Sequence, residues 1–578
     1  MPVSLDKPPS DPRGAHPCPF GSCKCNLACS IRQAHPDAGG RRTSYNRGVA
    51  NPPAAAPARK LPIGIQTFRE IREDGCYYVD KTAYAHRLAR EGKHYFLSRP
   101  RRFGKSLFVD TLKELFEGNE PLFAGLHIHN HWDWSVRHPV LRLDFSSGNF
   151  TEPDYLQANL IDQLTAIERR SGVVAESATV PGRFAHQLEA LHKRTGQRVA
   201  VLIDEYDKPI LDALEVPEVA RANRDFLRGL YSTVKFADAH IRFTFITGVS
   251  KFSKASTRAQ PRVSLFSGLN NLRDITLDPR YSALCGYSEA DLDTVFAPEL
   301  PGLDREQIRD WYNGYRWRGD EKVYNPFDIL LLFDSREFRA HWFETGTPTF
   351  LVETLFKRRV SSLELGEMIG SDELLSTFDV DHIATEALLF QTGYLTITDE
   401  EDLGGEPVYR LGYPNREVRQ SLNRSLLRYL VKDSTRQMAN SVRLYRLLEA
   451  NDFPGLETLF HAFFASIPYE WYTNNDIARY EGYYASVFYS YFAALGLDIA
   501  VEDSSSHGRL DMAVLFNGTV YLFEFKVVEM ASVGAAMAQL QERRYADKYR
   551  GLGQPIYLIG VEFSKDERNV AAFDVECA

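Results

Sequence analysis

The sequence predicts an α/β protein with a parallel-sheet domain first, a mostly helical middle region, and a smaller C-terminal α/β domain. Three observations predict it. Short apolar runs alternate with helix-patterned stretches from about residue 94 to residue 250. The run VAVLI (199–203) is apolar at every position, as a strand buried on both faces requires. Near the C-terminus, Asn517-Gly518 separates two apolar runs, which is the strongest short-range hairpin signal.

Composition sets the bounds. The 578 residues have room for about three domains. Hydrophobic residues at 44% are enough for packed interiors, and a formal net charge of −9 excludes a generally basic nucleic-acid coat, although not a local basic groove. No apolar run is long enough to span a bilayer. The start, MPVSLDKPPSDPRG, lacks a signal pattern, so a cytoplasmic protein is expected. Four of the seven cysteines (Cys18, Cys23, Cys25, Cys29) cluster in a Pro/Gly/Ala-rich stretch that ends in NPPAAAPARK. Their irregular spacing favours a disordered tail with incidental thiols over a zinc site. The expected divisions are a tail (1–58), a nucleotide-binding domain (59–285), a helical lid or linker (286–440) and a C-terminal domain (441–578).

The elements follow in order. HYFLS (94–98) is a short strand, and LFVDTLKELFEG (107–118) has helical spacing closed by Gly118. PVLRLDFSS (139–147), RVAVLIDEYD (198–207) and IRFTFITGVS (241–250) are further strands. DYLQANLIDQLTAIERR is a helix between the first two of these. From 286 to 440 the pattern is mainly helical, interrupted by aromatic turns such as WYNGYRW and YNPFD. The last segment begins helical and then turns to hairpins.

Between the first strand and its helix lies SRPRRFGKS (98–106). Phosphate binding needs inward-facing backbone N–H groups, a helix N-terminus and a cation. Gly104 allows close approach, Lys105 can reach the β- and γ-phosphates, and Ser106 can ligate Mg²⁺. The full pattern is G-x-x-x-x-G-K-[ST], and here Arg99 stands where its first glycine belongs. Arg101 and Arg102 crowd the same loop. The strand VLIDE supplies the second element, because an acid at the end of a buried strand is costly unless paired or near a metal. Asp204 is placed to hold Mg²⁺ through water and Glu205 to polarise an attacking water. Helix capping is the competing reading of these acids. Thr247, with Ser250 second, is the candidate for sensing the γ-phosphate from the strand end; ordinary strand-end polarity explains both nearly as well.

The segments LSRPRRFGKS, VLIDEYDKPILD, ITGVSKFSK, LFSGLNNLRDITLDPRY, WYNGYRW, VYNPFDIL and HWFETGTPTFL together resemble the bacterial AAA-ATPase-like family that carries a C-terminal PD-(D/E)XK nuclease-like domain. The resemblance runs from about Leu61 to the C-terminus. It implies a P-loop NTPase domain of the additional-strand type, ATP with Mg²⁺, and a linked restriction-endonuclease-like module. It also makes RPRRFGK a family form of the phosphate loop. One departure is ASTRAQPR (255–262), which intervenes before VSLFSGLNN.

The hairpin can be read from geometry. With Asn517 and Gly518 as a type I′ loop, Phe516 pairs with Thr519. Counting outward then puts Asp511 opposite Glu524, on one face, with Lys526 two residues further along. Phe523 and Phe525 face the other way. Two opposed carboxylates repel unless a divalent metal lies between them. Lys526 can then position water and stabilise charge on a phosphate under attack. A solvated alternation of charged and core residues is the plainer reading of the same pattern. The resemblance adds Glu481 on the preceding helix and Gln539 on the following one.

Two functions are therefore expected. One is an ATP-hydrolysing protein coupled to a Mg²⁺-dependent nuclease acting on nucleic acid, DNA before RNA. Candidate substrate contacts are RPRR, RQSLNRSLLR and QERRYADKYR, although an ordinary solvated or capping cluster is the slightly favoured reading of each. The other is a nucleotide-switched interaction ATPase whose C-terminal domain only binds. A protein kinase is excluded by the absence of its glycine loop and catalytic-loop acids. A homo-oligomer would let an arginine act in trans, with Arg316 and Arg280 as candidates.

Overall fold

The computed structural model describes residues 58–578, except 175, 253–264, 267–268, 270, 343–348, 359, 361, 376–382, 432–433, 468–480 and 506–507. The cysteine-bearing tail and the 255–262 insert lie outside the described residues.

The first sheet contains β1 (His94–Ser98), β2 (Val140–Asp144), β3 (Val199–Asp204), β4 (Ile241–Gly248) and the short β5 (Arg273–Asp274). Its order is β2-β3-β4-β1-β5, and every pairing is parallel. Parallel neighbours need crossovers, and helices supply them: Lys105–Phe116 after β1, Tyr155–Ser171 and Val180–Thr195 before β3, and Pro217–Phe236 before β4. β1 and β3 are buried at every position, which explains the apolar runs YFL and VAVLI within them. Strand β4 lies between the loop strand β1 and the Asp204 strand β3, the arrangement of an additional-strand P-loop domain. The carboxyl ends of β1, β3 and β4 therefore meet where a ligand is expected.

The middle region contains more sheet than its sequence suggests. β6 (Met368–Ser371), β7 (Thr396–Asp402) and β8 (Pro407–Gly412) form an antiparallel sheet of order β6-β8-β7. β7 and β8 are a hairpin whose outer half is exposed and acidic. That face offers little apolar alternation, so its strand character comes from pairing and not from pattern. One apolar core runs from Phe68 through Tyr315, Trp317 and Leu389 to Leu426, so the middle region packs directly on the first sheet.

The last sheet is β9 (Asp498–Ser505), β10 (Gly508–Phe516), β11 (Thr519–Val527), β12 (Ile556–Ser564) and β13 (Asn569–Cys577). Its order is β13-β12-β11-β10-β9, with β11 and β12 parallel and the remaining pairs antiparallel. Helix Glu481–Ala494 covers one face, where Phe488 and Phe492 meet Phe525 and Phe523. Helix Ala535–Glu542 covers the other. It crosses β12 so closely that a Cβ on Gly560 would lie 2.7 Å from the Met537 nitrogen. Helix Arg416–Val431 joins the two halves: Val418, Leu422 and Leu426 belong to the first core and Leu427 to the second. Arg419 and Arg424 of this helix also donate to the carbonyls of Leu497 and Ala494. No helix among the described residues is long and apolar enough to cross a membrane.

Candidate functional site

The loop between β1 and helix Lys105–Phe116 opens into a cavity of about 510 Å³. Arg101 to Leu107 line it, together with Ser146, Glu205, Lys208 and Asp212 at one end and Pro62, Ile65, Tyr287 and Leu330 at another. Gly104 has φ +88° at the helix N-cap, and a Cβ there would meet nothing within 4 Å. Open space thus sits over a helix N-terminus, where backbone N–H groups favour an anion. Lys105 is buried; its ammonium donates to the Pro100 carbonyl at 3.0 Å and lies 3.4 Å from a Glu205 oxygen. Arg101 and Arg102 are exposed along the cavity wall. The Arg102 guanidinium stacks over Phe327 at 4.6 Å, and the Arg101 carbonyl accepts from the Trp342 indole at 3.2 Å.

Arg99, at the missing glycine, does something different. It is fully buried, donates to the carbonyls of Ser98, Thr276 and Tyr281, and stacks on Trp317 at 4.1 Å. Burial pulls its guanidinium down to about 10. Phe103 packs edge-on against Tyr315 and Trp317. The WYNGYRW segment is therefore the platform under the phosphate loop, and Arg99 is the bolt that fixes the loop to it.

Asp204 ends β3 fully buried. One carboxylate oxygen accepts the Glu205 amide, while the other has no hydrogen-bond partner and lies 3.7 Å from Arg142. Burial, then the neighbouring Glu205, pushes this carboxyl up to about 6, and a hydrogen bond from Ser106 opposes the shift. A buried carboxylate that keeps one oxygen without a hydrogen bond and is bonded to the Ser106 hydroxyl is a donor set that fits Mg²⁺, although Ser106 lines the cavity and Asp204 does not. Bound there, Mg²⁺ would neutralise phosphate charge. Glu205 faces the cavity with φ +51°.

Two residues sit differently from their expected surroundings. The Thr247 hydroxyl donates to the Leu97 carbonyl at 2.9 Å inside the sheet, and Thr247 is absent from the cavity lining. The Ser250 hydroxyl donates to Asp207, whose carboxylate also accepts the Val249 and Ser250 amides. Asp207, which the sequence reading passed over, clasps the end of β4. Its signal was present in LIDEYD as a third acid one turn beyond the strand. Arg316 is held by the Gly319 and Thr398 carbonyls, and Arg280 by Asp278 and Glu91. Neither lines the cavity.

In the C-terminal domain, Asn517 (φ 47°) and Gly518 (φ 73°) are both left-handed, as a type I′ turn demands. The ladder runs from Phe516–Thr519 to Met512–Phe523. One step further, the Asp511 carboxylate accepts the Phe525 amide at 2.8 Å. Glu524 is fully buried; one oxygen accepts from Gln539 and from Lys526 at 3.1 Å, and the other has no partner. Burial, then the Asp511 charge, pushes the Glu524 carboxyl up to about 7. Asp511, Glu524, Lys526 and Gln539 thus come together. Glu481 opens its helix, and its side chain lies outside the described residues. Tyr545 and Lys548 turn away, to the Arg509 carbonyl and Asp503. Two carboxylates with one orphaned oxygen beside a lysine can hold a divalent ion and orient water at a phosphate. Among the described residues no group of three or more His, Cys, Asp or Glu side chains is clustered for a metal, so any ion here needs water or substrate oxygens as well.

Comparison with known proteins matches both halves of the chain. Residues 62–257 match the family model described as predicted AAA-ATPase, and residues 479–573 match that of the PD-(D/E)XK nuclease superfamily. The chain is 60% identical over 519 residues, 90% of its own length and 99% of the relative's, to an uncharacterized protein in the vnfD 5′ region of Azotobacter chroococcum mcd 1. No solved structure matches it. With loop, buried strand acid and carboxylate hairpin each inside the matched segments, the chain belongs to the predicted AAA-ATPase family, in the form that carries a C-terminal PD-(D/E)XK nuclease-superfamily domain.

Proposed function

We propose that this protein binds and hydrolyses Mg²⁺-ATP in its N-terminal cavity, and that its C-terminal domain is a Mg²⁺-dependent nuclease acting on nucleic acid, DNA before RNA. The observation that carries the reading is a pair of fully buried carboxylates, Asp204 and Glu524, each with one oxygen that accepts no hydrogen bond, although that of Asp204 lies 3.7 Å from Arg142. A buried, unpaired carboxylate oxygen is expensive, and a divalent cation removes the cost. In the first site Lys105 and the loop amides would hold the phosphates, Ser106 and Asp204 the metal, and Glu205 the attacking water. In the second, Asp511 and Glu524 would hold the metal and Lys526 would stabilise the phosphate, with Gln539 fixing Glu524.

The test is a direct assay of the purified full chain. Single- and double-stranded DNA and RNA are incubated with Mg²⁺, with and without ATP. ATP turnover that Lys105→Ala abolishes, together with cleavage that Glu524→Gln and Lys526→Ala abolish, is expected. Cleavage that persists in both C-terminal variants would sink the nuclease assignment. Binding without cleavage in the unaltered chain would leave an interaction module instead.

A further inference from the structure

Five cationic residues among those described line the nucleotide cavity: Lys81, Arg101, Arg102, Lys105 and Lys208. Lys81 is paired with Asp291 at 2.9 Å. Arg101 and Arg102 belong to the phosphate loop, and Arg102 leans on Phe327. Lys208 alone comes from the strand side of the cavity. It opens the short helix Lys208–Leu211 just past β3, and its amide donates to the Glu205 carbonyl at 3.1 Å. The Lys208 and Glu205 side chains therefore leave one turn, and both line the cavity beside Ser146.

That turn is held firmly. Asp207 is locked to the Val249 and Ser250 amides. Asn223 donates to the Pro209 carbonyl at 2.8 Å and to the Phe150 carbonyl at 3.2 Å. The Lys208 side chain, by contrast, has one ionic partner among the described residues, Asp212, which also lines the cavity. Its ammonium lies 5.4 Å from the Phe150 ring centre. Both members of the pair are about a quarter exposed. A partly exposed i,i+4 ion pair is weak, so a polyphosphate can take the lysine from it. The fixed backbone and flexible four-carbon stem put a compact positive charge within reach of whatever Glu205 faces.

We propose that Lys208 is a catalytic residue acting in cis, whose ammonium leaves Asp212 to contact the terminal phosphate of bound ATP. The inference rests on the ATPase reading above. In the step it serves, a water oxygen bonds to the terminal phosphorus while the bridging P–O bond breaks. The electron pair of that bond leaves on ADP, and the proton of the water passes to Glu205. Lys208 neutralises charge on the transferring group, the task performed elsewhere by an arginine finger. ADP lacks the terminal phosphate, so Lys208 also distinguishes ATP from ADP.

The experiment titrates the full chain, in MgCl₂, with fluorescent non-hydrolysable ATP and fluorescent ADP. Lys208→Met is expected to lose about tenfold to a hundredfold in ATP affinity with ADP affinity unchanged, which also reports an intact fold. Turnover falls by about 10²–10³. Lys208→Arg retains the preference for ATP, and Asp212→Asn tightens ATP binding alone. If Lys208→Met fails to fold, Asp212→Asn decides: a gain for ATP and none for ADP supports the role, and no gain overturns it. Equal changes for both nucleotides, or none, in a chain whose wild type binds both would overturn the role of Lys208 and leave the ATPase reading standing. A wild type that binds neither nucleotide removes both.

Discussion

At the N-terminal site the buried acid, Asp204, ends a parallel strand, and the polar and charged groups around it come from elsewhere in the chain: Lys105 and Ser106 from a helix start, Arg142 from a neighbouring strand. At the C-terminal site the buried acid, Glu524, lies within a strand, and its lysine stands two residues further along the same strand. The first site is assembled by topology, from strand ends that the parallel order brings side by side. The second is assembled by the register of one hairpin, with Gln539 added from a single helix. Topology leaves a cavity open to a large ligand, whereas register gathers Asp511, Glu524 and Lys526 on two inner strands of a sheet. The first can therefore tolerate an altered loop, provided something else anchors it; the second depends on one turn.

The comparison breaks most sharply by charge removal, where the largest effects are expected. Lys526→Ala should reduce metal-dependent cleavage by about 10³ and leave ATP turnover within about twofold. Lys105→Ala should lower nucleotide affinity by about a hundredfold while divalent-ion binding at the hairpin, followed by calorimetry with Mn²⁺, persists. Loss of both functions in either variant would mean that the two sites are not independent.

The pH response comes next. Glu524 keeps its proton in the folded chain up to about 7, whereas its ordinary value is 4.5. Between these values the folded state binds more protons than the unfolded state, so its contribution to stability is full at low pH and is lost as pH rises through about 7. Asp204, raised from 3.8 to about 6, acts in the same direction over a lower window. The metal-free protein should therefore melt at lower temperature at pH 8 than at pH 5.5, and Mn²⁺ should restore more at pH 8. Glu524→Gln should flatten much of that slope; an unchanged slope would place its origin elsewhere.

Arg99→Gly sharpens the contrast between loop chemistry and loop anchoring. It restores the ordinary phosphate-loop pattern, yet it strips three carbonyls of their donor and empties the space against Trp317. A loss of about 2–4 kcal/mol in denaturant unfolding is expected; a neutral or stabilising result would refute the anchoring role. The smallest effect belongs to Thr247→Val. Its hydroxyl serves one internal carbonyl, so about 1 kcal/mol of stability and little ATP turnover should be lost. A hundredfold drop in turnover would instead restore the sensing role.

Much of the frame was legible in the chain itself. β3 opens with the continuous apolar run VAVLI, which marks a strand buried on both faces, whereas β2 alternates as VLRLD with one face half-buried. Asn517-Gly518 names its turn, and the turn names the pairing, so the approach of Asp511 to Glu524 needed no tertiary information. The hairpin β7–β8 was not legible, because the outer half of β7 is a run of four acids, mostly exposed, and is held by pairing alone. The order of the first sheet, in which β4 inserts between β3 and β1, followed from the family resemblance and not from the pattern of its own residues.

What the sequence determined by itself was the set of local rules: which residues turn left-handed, which runs are buried, and which lysine follows which glycine. These depend on covalent geometry and neighbours a few residues apart. What the tertiary structure decided was what each charged group faces. The partners of Arg99 include the Thr276 and Tyr281 carbonyls, Asp207 seizes the end of β4, and Lys208 shares a cavity with the phosphate loop. Those assignments depend on contacts between distant segments, and only the packed fold brings such segments close enough for a buried charge to find its counterpart.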